Sequence, residues 1–125
     1  MYEKAEFLPP GWPSQVPPLS TEDGERAAVR FLLECCPPVL TDLGLLRRQP
    51  VGLAHLAQGF LDGQLATSRD LLAGLRASLA PVVEPEVVAA AVDCLQAIDA
   101  HLVRIQREAG LVAGAMRGVV YRPRL

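Results

Sequence analysis

The chain has 125 residues, 50% of them apolar but only 5% aromatic, with a formal net charge of −2. That length supports one domain with its own core, unaided by metal or disulfides, and the excess of Ala and Leu over aromatic residues favours packed helices over a sheet. The charge provides no global field for nucleic acid or an anionic membrane, no apolar run approaches the ~18 residues of a membrane span, and the opening MYEKAEF lacks the parts of a secretion signal, so a cytoplasmic protein is expected.

Residues 1–19 read as a Pro-rich extended arm. FLPPGWPSQVPPL, Phe7 to Leu19, carries five prolines and the single tryptophan, and such a stretch predicts a polyproline-like path with few internal hydrogen bonds. Residues 20–125 read as one helical domain. Ser20 and Thr21, followed by Glu22, Asp23 and Glu25, supply a cap and first-turn negative charge, and Pro37 and Pro38 stop the helix, which predicts a first helix over 21–36. Its apolar face is Ala28, Val29, Leu32, Leu33 and Cys36. In the connector PPVLTDLGLLRRQ, Thr41 caps one short turn bearing Leu43, Leu45 and Leu46.

Pro50 suits a first helical position, and nothing stops a helix before Pro81. The predicted second helix, 50–80, has a core stripe of Ala54, Leu61, Leu65, Ser68, Leu72, Leu75 and Leu79. After PVVEP the stripe resumes as Val88, Ala91, Leu95, Ile98, Leu102, Ile105 and Ala109. Gly110 offers a possible stop, but Val112, Met116 and Val119 keep the period, so the third helix is expected over 85–117. The two long helices form an antiparallel hairpin, and the fold class is an all-α bundle of about three helices.

The second helix has few charges. His55, Asp62, Arg69 and Arg76 stand seven apart, and a stripe of small residues, Gly52, Gly59, Gly63, Ala66 and Ala77 with Gly74 beside it, runs roughly opposite the leucines. Each interior glycine costs about 0.8–1 kcal/mol against alanine, a cost that close approach of another backbone or ring would explain. The expectation is that Trp12, with Phe7, Leu8, Val16 and Leu19, packs over Gly52, Gly59, Gly63 and Gly74. Alternatively the arm crosses to a second copy, or the glycine face meets its twin across a two-fold axis.

Signals for chemistry are sparse. Cys94 and His101 lie two helical turns apart, too far for one zinc, and no C-x-x-C or E-x-x-H pair occurs, so no metal or cofactor is expected. Cys35, Cys36 and Cys94 read as buried free thiols. Ser68 lies in the core stripe, where back-bonding to its own helix or close packing explains it, and no nucleophile stands beside a base, so no enzymatic activity is expected. An antiparallel hairpin gathers Arg47, Arg48, Arg117, Arg122 and Arg124 at one pole. They are either solvated helix-end charges or a site for an anionic partner, which makes nucleic acid an alternative partner.

The landmarks PPGWP, LLECCPP, LRRQPVGLA and GLVAGAMRGVVYRPRL, in this order, resemble a group of small helical proteins from high-GC actinobacteria that have no assigned activity. The resemblance implies a bacterial cytosolic protein and carries over no functional residues. The leading expectation is a non-enzymatic interaction or assembly module whose partner is another protein or a second copy of itself; the alternative is a regulatory or nucleic-acid-associated protein using the arginine pole.

Overall fold

The computed structural model describes residues 7–42, 44–119 and 121–123. Four α-helices follow the arm: α1 (Gly24–Glu34), a single turn α2 (Gly44–Arg47), α3 (Pro50–Leu79) and α4 (Pro85–Met116), with a 3-10 turn (Pro38–Asp42) between α1 and α2. No strand occurs among the described residues, and the fold is the all-α bundle that composition implied. α3 and α4 form the long antiparallel hairpin, and α1 packs across one half of it.

Both long helices begin on proline. Pro50 and Pro85 occupy the first turn, where the missing N–H is no loss. α4 runs unbroken through Gly110 and Gly114 and ends at Gly118, whose φ of 87° suits a residue without Cβ. There Val119 N donates to Gly114 O and Gly118 N to Ala115 O, each at 3.0 Å, a Schellman closure. The glycine that stops the helix is therefore Gly118, eight residues beyond the first candidate.

The first helix starts later than its capping signals suggest. Thr21 Oγ1 donates to the carbonyl of Pro18 at 2.6 Å and Gly24 N to that of Thr21 at 3.2 Å, so Ser20–Asp23 are spent in turns and α1 opens at Gly24. Gly24 is the close-approach glycine of the molecule. A Cβ on it would lie 2.0 Å from Pro18 O, so only glycine lets the arm cross the start of α1 at this spacing. The connector's short turn is α2; Leu43 and the side chains of Leu45 and Leu46 lie outside the described residues.

The arm is non-helical, as its prolines dictate, but it is a succession of tight turns and not an extended run. Pro9–Trp12 forms a turn closed by Trp12 N to Pro9 O at 3.1 Å, with Gly11 at φ 88°, the type II pattern of Pro then Gly. Further turns close Val16 N on Pro13 O and Thr21 N on Pro18 O. Prolines fix φ at the values that turns need, so the same residues serve both geometries, and burial of the intervening side chains selects the folded one.

The core lies toward one end of the hairpin. Leu32 and Ala28 of α1, Leu53, Ala57, Leu61 and Leu65 of α3, Leu102, Ala109 and Val112 of α4 and Val16 of the arm form one buried cluster. The other end of the hairpin lacks this third layer: Val88 and Val92 are buried, whereas Leu71, Val82 and Val87 are exposed.

Candidate functional site

Trp12 answers to the arm's own geometry. Its indole Nε1 donates to Val16 O at 2.7 Å and its ring packs partly buried against the core cluster. The ring borders a cavity that Leu111 and Gly114 of α4 also line, and does not lie over the glycines of α3. Anchoring falls mainly to Val16, 2% exposed, and to the buried Pro13, while Phe7 at 61% and Leu8 remain exposed. The expected contact of Trp12 with Gly52, Gly59, Gly63 and Gly74 is therefore not made within the chain. A Cβ on Gly59, Gly63 or Gly74 would meet nothing within 4 Å, and one on Gly52 would meet only Gln49.

What the arm leaves bare is a groove between α3 and α4. It holds about 560 Å³ and is lined by Gly59, Phe60, Gly63, Ser68 and Leu71 of α3 and by Leu95 and Ile98 of α4. Its floor is low because Gly59 and Gly63, one turn apart, present no side chain, and its rims are apolar: Leu71 is 56% exposed, and Phe60 and Ile98 also reach solvent. Among the described residues no charged side chain lines it; Gln64, Thr67 and Ser68 are the polar contributors. Ser68 is 7% exposed, and its Oγ has no hydrogen-bond partner. Of the two explanations for Ser68, back-bonding to its own helix is absent and close packing in the α3–α4 contact remains.

The charges beside the groove act across the hairpin. Arg69 Nε donates to Asp99 Oδ2 at 2.7 Å, and Gln106 Nε2 donates to Asp62 Oδ1. Seven residues forward on α3 correspond to seven back on α4, the register of two antiparallel helices, so the line of charges found in the sequence is a lateral seam. Arg69's hydrogen bond, against the opposing effect of desolvation, holds the Asp99 carboxyl below its ordinary value. Arg104 Nη2 donates to His101 Nδ1 at 2.9 Å, which occupies that imidazole within its own helix.

Cys35 and Cys36 are buried, as expected, each with its thiol near the carbonyl four residues back. Burial, reinforced by Cys36, pushes the Cys35 thiol up to about 11, and burial raises Cys36 as well. Cys94 corrects the expectation for the third thiol: it is exposed, because the part of α4 that carries it has no third helix against it. Among the described residues no group of three or more His, Cys, Asp or Glu side chains is placed to hold a metal, and no helix is long and apolar enough to cross a membrane.

The arginine pole is less convergent than topology suggested. Arg47, Arg48, Arg117 and Arg122 are all exposed, but Arg47 lines a shallow depression beside Arg30 and Glu34 of α1, whereas Arg122 borders the cavity beneath the arm. Arg124 lies outside the described residues. Comparison of the chain with protein families, characterised proteins and solved structures finds no match.

Proposed function

We propose that the chain is a non-enzymatic helical assembly module that pairs with a second copy of itself through the α3–α4 groove. The observation that carries this reading is the low floor at Gly59 and Gly63, where a Cβ would meet nothing within 4 Å, beside the exposed apolar rims of Phe60, Leu71 and Ile98. A two-helix hairpin cannot bury both faces of its long helices. Two hairpins set groove to groove complete a four-helix layer, in which Phe60, Leu71 and Ile98 of one copy cover Gly59 and Gly63 of the other. The absence of charge in the lining favours a self-complementary contact, because two-fold pairing opposes no like charges there.

Sedimentation velocity over a wide range of protein concentration tests it. A reversible dimer with little salt dependence is expected, since the contact is apolar. Leu71→Glu tolerates the monomer fold because Leu71 is already exposed, and it returns the protein to monomer by placing a carboxylate in the contact. A wild-type protein monomeric at every concentration, or a dimer indifferent to Leu71→Glu, contradicts the proposal.

A further inference from the structure

A second cavity, of about 690 Å³, lies where the two unusual ends of the sequence meet. Phe7 and Trp12 of the arm form one wall, Leu111 and Gly114 of α4 the floor, and Tyr121 and Arg122, beyond the end of α4, the other wall. This volume falls within the roughly 300–1,000 Å³ of sites that enclose small organic molecules. The enclosure depends on two local features already described. The turn at Gly11 sets the arm against α4, with the position of a Cβ there 3.7 Å from Leu111, and the Schellman closure at Gly118 turns Val119 back toward Gly114.

The lining is chemically one-sided. The indole N–H is already spent on Val16 O, so Trp12 brings ring surface and no donor. Phe7 and Val119 stay 61% and 64% exposed at the rim, apolar area that an occupant would cover. Among the described residues no Asp or Glu lines the cavity, Arg122 is the one charged side chain that does, and no carboxylate lies in salt-bridge range of it. An apolar enclosure with one cation at its edge is complementary to a molecule with an apolar body and one anionic end.

We infer that this cavity binds a small amphipathic monoanion, a carboxylate on an aliphatic or aromatic body, with the body between Phe7, Trp12 and Tyr121 and the carboxylate at Arg122. The site is independent of the α3–α4 groove and stands whether or not two copies pair.

Trp12 is the only tryptophan, so its emission reports on the site directly. The full chain is titrated with decanoate in its monomeric range, with decan-1-ol as the uncharged control. Decanoate produces a saturable change at one molecule per chain, and Arg122→Ala weakens its binding about tenfold while leaving decan-1-ol unaffected. Gly114→Leu fills the floor and removes both responses; leucine is a better helix former than glycine, and unchanged far-ultraviolet circular dichroism verifies the fold. Ala115→Leu is the second filling variant, because Ala115 also lines the cavity.

The inference is overturned if decanoate gives no saturable change, or if Arg122→Ala binds it as tightly as the wild type. It is also overturned if phosphatidylglycerol vesicles shift the emission and decanoate does not, which would assign the patch to a membrane surface.

Discussion

The two halves of the α3–α4 hairpin are made of similar sequence and meet different surroundings. In the half near residues 53–65 and 102–113, α1 and the arm add a third layer, and Leu32, Leu53, Ala57 and Val112 lie wholly out of water. In the half near residues 68–98 the same two helices continue alone, their contact reduced to such residues as Ser68, Val88 and Val92, while Leu71, Val82 and Val87 face solvent. Both halves follow one hydrophobic period. The period therefore records which face is apolar, and not whether anything within the chain covers it.

Truncation at the two ends should separate them most sharply. Leu32→Ala opens a cavity in the three-layer half and is expected to cost about 2–5 kcal/mol in denaturant unfolding. Val87→Ala, at a half-exposed site of the two-layer half, should stay within about 0.5 kcal/mol. Similar losses at the two sites would erase the distinction.

Glycine replacement gives the next effect, with opposite signs. Gly24→Ala forces a methyl against Pro18 O and is expected to destabilise by about 1–3 kcal/mol, because the obstacle is backbone and cannot swing aside. Gly74→Ala meets open space on the exposed face of α3 and should stabilise the monomer by about 0.5–1 kcal/mol. Thermal unfolding of the two variants at low protein concentration checks both signs; destabilisation by Gly74→Ala would mean that its surface is covered.

Thiol chemistry sharpens the contrast without mutation. Cys94 should react with a maleimide at once, and Cys35 and Cys36 only through opening of the α1 layer, as counted by mass spectrometry. The raised Cys35 thiol also sets a pH dependence. Its neutral form belongs to the folded state, so its contribution to stability is fully present below about pH 9 and is lost as pH rises through about 11. Cys35→Ala should flatten that alkaline loss.

The smallest effect is at the seam. Asp99 is held below its ordinary value, so its contribution is present above the usual carboxylate range and disappears as pH falls through the lowered value. Arg69→Ala should raise the Asp99 titration midpoint seen by NMR, with little change in global stability because the pair is exposed.

Much of the scaffold was legible because its signals are local. Pro50 and Pro85 mark helix starts by removing an N–H that a first turn does not need, and the repeating apolar positions from Val88 to Met116 carried α4 past Gly110. Less legible was anything decided between segments. Thr21 and its neighbours look like a helix start in isolation, but the turn onto Pro18 claims them, and the need for glycine at position 24 exists only because the arm crosses there. The glycine row on α3 offered Trp12 a seat by spacing alone, and no local signal showed that the arm would pass elsewhere. The turn at Gly11 decides this, because it sets the arm against Leu111 of α4 and leaves the α3 row open.

Whether that open row is an interface between copies can be measured through Cys94, the one exposed thiol. Electron dipolar spectroscopy on the protein spin-labelled there places one spin on each chain, so any dipolar coupling arises between molecules. Pairing through the groove predicts a single narrow distance distribution that vanishes in Leu71→Glu. An unmodulated decay from the wild-type protein at high concentration would contradict it.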